Sequence, residues 1–156
     1  IGVSEPSNMV LGEVPCLLKG MKIKTGDGKY KLVEDLIEGE EIMDLLGRKI
    51  KIQKIFLTQV IGNDKNVPFK IPTNFFDKDL PTEDVYLSSN HAYFYNGWKL
   101  PNRTRGLFRD YTFLNKLFTY YHIGLEDYPN DKLLCNNLPV DSFDYKNLDQ
   151  GIWKIS

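Results

Sequence analysis

The chain has 156 residues, 42% apolar and 26% charged, the size and make-up of one globular domain with a core of its own. A formal net charge of −1 removes any global attraction to nucleic acid or anionic membrane, and no run approaches the ~20 apolar residues of a spanning helix. Cys16 and Cys135 are too few for a disulfide framework, and two histidines without a Cys-x-x-Cys pair give no metal-site spacing, so neither a metal nor a cofactor is expected.

Residues 1–15 (IGVSEPSNMVLGEVP) are rich in Gly, Ser, Asn and Pro and read as a linker. They lack the charged start and long apolar run of a signal peptide, and a start on Ile reads as a piece of something longer. From Cys16 the texture changes. Met21 to Thr25, a Gly26-Asp27-Gly28 turn and Lys29 to Val33 form a hairpin. Val33 to Gly39 is a connector of about one helical turn. Glu41 to Asp44, a turn at 45–48 and Lys49 to Thr58 form a second hairpin. Its apolar alternation slips between Ile52 and Ile55, which predicts a bulge there. Residues 61–83 read as loop, with three prolines. Val85 to Leu87 is a strand leading into Ser88-Ser89-Asn90-His91. Ala92 to Tyr95, the Asn96-Gly97 pair and Trp98 to Leu100 form a two-residue-turn hairpin. Residues 102–116 are mixed and basic, with a short helix expected. Phe118 to Leu125 is a strand, and Lys132 to Cys135, Asn136-Asn137 and Leu138 to Phe143 form the last hairpin. Many short strands, nine Tyr and nine Phe point to an all-β domain with little helix.

Three side chains are candidates for chemistry: Cys16, His91 and His122. Each also has an ordinary reading, since a lone cysteine is usually a small buried hydrophobe and a strand histidine usually packs and hydrogen-bonds. Their setting separates the two readings. Cys16-Leu-Leu-x-Gly20-x-x-Ile23-x-Thr25-x-x-Gly28, then Val33-Glu34-Asp35-Leu36-x-x-Gly39-Glu40 and Gly47-Arg48, resembles the opening block of the hedgehog/intein (Hint) superfamily. Asp84-x-Tyr86-Leu87-Ser88-x-x-His91-Ala92 resembles its second block, which carries a Thr/Ser-x-x-His signature. Tyr120-Tyr121-His122-Ile123-x-Leu125, followed by Leu133-Leu134-x-Asn136-x-Leu138-x-Val140-Asp141-Ser142, resembles its closing blocks, nearest to the variant with Tyr-x-His and a Glu/Asp-Ser ending.

The resemblance implies a horseshoe of short strands with a pseudo-two-fold. It divides the chain into a leader at 1–15, an autoprocessing domain at 16–146 and a tail at 147–156. It also implies that the Pro15–Cys16 peptide bond is itself the substrate. The Cys16 thiol attacks the Pro15 carbonyl, the amide becomes a thioester by an N–S acyl shift, and the upstream polypeptide is released or transferred. The nucleophile that resolves the thioester is water or a small thiol or amine. His91, with an ordinary pKa near 6.5, is expected to protonate the departing Cys16 nitrogen. Ser88 is expected to hydrogen-bond the Pro15 region or to fix the imidazole, provided the strand turns after it so that both side chains face one site. His122 stands where many members carry Asp; it takes the thiol proton or only orients a neighbour. Splicing members end in His-Asn, whereas Val140-Asp141-Ser142 offers no carboxamide to cyclise, so splicing is not expected. As an isolated domain the chain is expected to be a monomer, single-turnover rather than a multiple-turnover enzyme. The competing reading is a cleavage-defective β-module of a larger protein, with Trp98, Tyr111, Trp153 and the Tyr120–Tyr121 pair at an interface. A thiol protease acting on other proteins through Cys16 and His91 fits less well, because the nucleophile lies at the domain edge behind a proline.

Overall fold

Strands dominate, as the aromatic and β-branched content requires. The computed structural model describes residues 15–146 in full and the backbone of residues 3–4. The rest of the expected leader, the tail 147–156 and Trp153 lie outside the described residues.

The strands in chain order are β1 (Val3–Ser4), β2 (Leu17–Leu18), β3 (Lys22–Lys24), β4 (Tyr30–Leu32), β5 (Glu41–Met43), β6 (Lys49–Ile61) and β7 (Phe69–Ile71). They continue as β8 (Val85–Leu87), β9 (Tyr93–Phe94), β10 (Trp98–Lys99), β11 (Phe108–Arg109), β12 (Leu117–Leu125), β13 (Leu133–Cys135) and β14 (Leu138–Val140). They form two sheets. One runs β1-β6-β12-β2-β8-β7-β11, with β5 on β6; the other runs β10-β9-β14-β13-β3-β4. The all-β expectation holds, and each expected hairpin is present: β3–β4, β5–β6, β9–β10 and β13–β14.

The bulge falls where the slip in alternation puts it. Gly124 pairs with Lys54 and Leu125 with Ile52, so Gln53 has no opposite number. The last hairpin turns through Asn136 (φ 48°) and Asn137 (φ 72°), a left-handed pair that asparagine tolerates better than most residues.

Two expectations need correction and one an addition. The loop expected at 61–83 contains β7, hidden because Pro68 and Pro72 bracket its three residues; proline is admissible at strand ends. The β9–β10 turn spans three residues, since Phe94 pairs with Trp98 and Tyr95 N–H donates to Gly97 O at 3.0 Å. Residues 102–116 hold the strand β11 besides a short helix, the 3-10 helix Tyr111–Phe113; another 3-10 helix is Pro101–Arg103.

β6 and β12 form the spine. They pair antiparallel from Leu117 opposite Ile61 to Leu125 opposite Ile52. The strand β2 is laid on the other edge of β12, with Tyr120 opposite Leu18 and Tyr121 opposite Leu17. On its far side β2 pairs with β8, Leu17 opposite Leu87. Two residues of β2 are thus held between two strands, and Leu17, Leu18 and Cys16 are all buried. Ile23, Ile42, Ile52, Ile71, Leu87, Leu125 and Leu138 fill the main core, each worth about 1.5–3 kcal/mol when fully buried.

The end of the spine is sealed by a close backbone approach. A Cβ at Gly62 would collide with the Phe113 carbonyl, in the stretch where Gly62 bridges Leu114. Gly62→Ala is therefore expected to destabilise the protein by about 1–3 kcal/mol, because backbone rather than a flexible side chain must yield. Ile37→Ser, at a 65% exposed position, is expected to stay within about 0.5 kcal/mol. Urea unfolding of the two variants checks the contrast.

Candidate functional site

The register of the first sheet decides what surrounds Cys16. Continuing β2 one residue upstream from Leu17 sets Cys16 beside His122 on one edge and Ser88 on the other. The Ser88 N–H donates to Cys16 O at 3.1 Å, and the Cys16 N–H donates to Ser88 Oγ at 2.9 Å. The chain then turns, with His91 N–H donating to Ser88 O at 3.1 Å. That turn is the condition under which Ser88 and His91 face one site, and both do.

His122 lies on the inward face of β12 and is fully buried. Its Nδ1 is 3.0 Å from the Pro15 carbonyl oxygen. A carbonyl oxygen only accepts, so Nδ1 carries the proton. In a neutral ring Nε2 then holds a bare lone pair. Two groups face it: the Thr58 hydroxyl at 3.0 Å and the Cys16 sulfur at 4.0 Å. Burial pushes the His122 pKa down to about 4, more strongly than the Pro15 carbonyl contact lifts it. At neutral pH the ring is uncharged, with one end on the Pro15 oxygen and the other toward the thiol.

The thiol is also protonated at rest. Burial drives the Cys16 pKa well above its ordinary value, and a hydrogen bond with Ser88 only partly offsets this. Cys135 is likewise buried, and burial pushes its thiol up in the same way. Burial alone therefore does not set Cys16 apart. Its neighbours do.

His91 sits differently from expectation. Its Nδ1 is 2.9 Å from the Cys16 carbonyl oxygen and its Nε2 is 2.7 Å from the Asp141 carbonyl oxygen. The group facing the Cys16 nitrogen is Ser88. His91 grips the next carbonyl along and ties it to the closing segment. Both ring nitrogens face acceptors, so a neutral ring satisfies one carbonyl and a charged ring both. Burial pulls its pKa down, and the two carbonyls push it back up.

The closing segment completes the enclosure. Asp141 N–H donates to Ala92 O at 2.9 Å and Phe143 N–H to Ile123 O at 2.7 Å. The Phe143 ring packs on His122 with centroids 5.6 Å apart. Lys132 bonds Asp141 Oδ1 at 2.9 Å, and Ser142 Oγ donates to Asp131 O at 2.9 Å. The two ends of the domain thus meet at one site, with Pro15, Cys16, Ser88, His91 and His122 gathered there. Thr58 is the member that sequence reasoning missed. Its only signal is a hydroxyl among the apolar positions of β6, and a fully buried hydroxyl requires a partner.

A family model described as Hint domain matches residues 15–113, nearly two-thirds of the chain, and the chain belongs to that family. The match begins at Pro15 and ends before His122. Among solved structures the chain is similar to a triply substituted gp41-1 intein, at TM-score 0.58 and 11% identity over 82% of this chain and 98% of that one. It is similar also to the bacterial intein-like domain from Clostridium thermocellum, at TM-score 0.58 and 9% identity over 81% of this chain and 97% of that one. At such identities the likeness is one of fold. No curated protein sequence matches the chain.

The charge state of His122 has a thermodynamic consequence. Unfolded, its pKa returns to about 6.5. Between pH 6.5 and about 4 the unfolded chain binds a proton that the folded one refuses, so stability falls as pH falls through that window. The loss from His122 is about 3 kcal/mol, and His91, shifted the same way, adds to it. Urea unfolding at several pH values is expected to show this decline and a shallower one in His122→Gln. Parallel curves for the two proteins would contradict it.

Proposed function

We propose that this domain performs an N–S acyl shift at Pro15–Cys16, cleaving itself from what lies upstream, and that His122 serves both ends of the reaction. The observation that carries this reading is the single imidazole spanning the Pro15 carbonyl oxygen at 3.0 Å and the Cys16 sulfur at 4.0 Å.

The energetics favour a concerted step. The thiol is raised by burial and the imidazole is held near 4, so a separated thiolate–imidazolium pair is scarce at neutral pH. Sulfur bonds to the Pro15 carbon as its proton passes to His122 Nε2. The carbonyl electron pair moves to oxygen, where Nδ1–H already donates. Taking up the proton turns the ring into a cation, and its hydrogen bond to the new oxyanion strengthens as the charge develops. Collapse breaks the C–N bond, with its electron pair going to nitrogen. The departing nitrogen takes up one proton and His122 gives up the one it received, so the ring returns to neutral; Ser88 Oγ, which accepts the Cys16 N–H at 2.9 Å, keeps that nitrogen in place meanwhile. The net change is one proton moved from sulfur to nitrogen and an amide converted to a thioester. His91 holds the Cys16 carbonyl still and ties it to Asp141 while this happens. Water or a small thiol or amine then releases the upstream segment at Pro15. Val140-Asp141-Ser142 carries no carboxamide at the closing position, so the expected outcome is cleavage without splicing.

One observation favours a second reading, an unreactive β-module: Cys16 is 0% exposed. Cleavage separates the two. Incubation with dithiothreitol or hydroxylamine is expected to yield a fragment ending at Pro15 and a chain starting at Cys16, read by mass spectrometry. Cys16→Ala is expected to abolish the products, and His122→Gln to slow them at least about 100-fold, the usual worth of a positioned base. Full-length native chain as the sole species after prolonged incubation would leave the module reading.

A further inference from the structure

We infer that Thr58 is a positioning residue of this site: its hydroxyl fixes the tautomer of His122 and reverses from donor to acceptor as the ring takes up the thiol proton. The inference rests on the self-cleavage reading for its kinetic part, but its structural part stands without it.

The placement follows from register. Thr58 is opposite Tyr120 in the β6–β12 ladder, and His122 is opposite Phe56. Thr58 and His122 are therefore diagonal neighbours on one face, a relation that long side chains span. Thr58, Tyr120 and His122 are all fully buried, so water does not compete for the contact. The 3.0 Å separation from Nε2 is a full hydrogen bond, whereas sulfur at 4.0 Å is at the limit of one.

The bond has a definite direction. Nδ1 must carry the proton because it faces the Pro15 carbonyl, so neutral Nε2 is an acceptor and Thr58 donates. That bond stabilises the tautomer whose Nε2 is unprotonated, with its lone pair on Thr58 and the sulfur 4.0 Å away. The other tautomer would set a bare Nδ1 against the Pro15 oxygen. When Nε2 takes the proton from sulfur it becomes a donor, and only a group that also accepts can meet it. A threonine hydroxyl does both by rotating about its C–O bond. In the charged state the Nε2–H bond to Thr58 draws the proton away from sulfur, and this bond is charge-assisted, stronger than the neutral one it replaces. Thr58 therefore favours the state in which sulfur has lost its proton. Thr58 acts through His122, whose Nε2 its hydroxyl meets at 3.0 Å. The other titratable groups that bear on the ring are Cys16, across its Nε2, and His91, whose charge would oppose that of His122.

Thr58→Val keeps the shape and removes the hydroxyl; Thr58→Ser keeps the hydroxyl. Ring-¹⁵N NMR on histidine-labelled chains, carried on the Cys16→Ala background so that no cleavage intervenes, reads the structural part. In the Thr58-containing chain and in Thr58→Ser, Nε2 is expected to show a bare, hydrogen-bonded nitrogen. In Thr58→Val its signal is expected to move to that of an unbonded one, and the titration of the ring to a lower pH. An unchanged His122 spectrum in Thr58→Val overturns the inference, whatever the cleavage assay shows. On the Cys16-containing chain, Thr58→Val is expected to slow thiol-induced cleavage about tenfold, with the acid limb of its pH profile displaced to lower pH and the rate restored in Thr58→Ser. A slower rate with an undisplaced profile, or no rescue by serine, also overturns it by assigning Thr58 to packing alone. If the native chain does not cleave, it is the self-cleavage reading that falls, and the ¹⁵N result still decides the role of Thr58.

Discussion

One imidazole, wedged between a carbonyl and a thiol, is the contact on which the rest of this site depends. His122 presents its proton to the Pro15 oxygen and its lone pair toward the Cys16 sulfur. Either contact alone would be ordinary packing. Together they fix the tautomer, and in the self-cleavage we propose they set one side chain at the two ends of an addition to a carbonyl: removal of a proton from the nucleophile and donation to the oxygen that gains charge. The burial that makes His122 a weak base also makes any charge it bears interact strongly with its neighbours. A proton that moves only as charge develops on oxygen suits such a place.

The fold holds that ring in place. β12 is paired along its length with β6, and β2 lies against its other edge, so the imidazole cannot move without disturbing two strands. Phe143 closes one side, itself tied to Ile123 by a backbone bond. His91 performs the matching task at the other end of residue 16, linking its carbonyl to the closing segment at Asp141. Opening and closing segments, 125 positions apart from Cys16 to Asp141, are thereby joined through one residue's side chain. The bond at Pro15 is gripped at its oxygen by His122 and at its nitrogen by Ser88, while the carbonyl beyond it is held by Ser88 N–H and His91.

Much of this was legible in the amino acids, and the remainder was hidden for identifiable reasons. Hairpins could be read because their turns are local: Asn136-Asn137 marks its own reversal, and the slip between Ile52 and Ile55 marks its own bulge. The gathering of Cys16, Ser88, His91 and His122 was legible through the family-like blocks, with the turn after Ser88 stated as the condition. β7 was concealed by the prolines that bracket it. The assignment of partners within the site was beyond reach for a different reason. Whether His91 meets the nitrogen or the oxygen of residue 16 is a matter of about an ångström or two, set by how the 88–91 turn is inclined to β2. Thr58 depends on the register of two strands about sixty residues apart, and nothing near it in sequence records that register.

The most direct trial of the account is isotope-edited infrared spectroscopy of the native chain carrying ¹³C at the Pro15 carbonyl. A strong hydrogen bond from His122 is expected to displace that amide band from the position of a solvated proline amide. His122→Ala is expected to return it, and in the native chain a thioester carbonyl is expected to grow as the amide band declines. A Pro15 band indifferent to the removal of His122, with no thioester ever appearing, would contradict the claim that this imidazole grips the bond it helps to break.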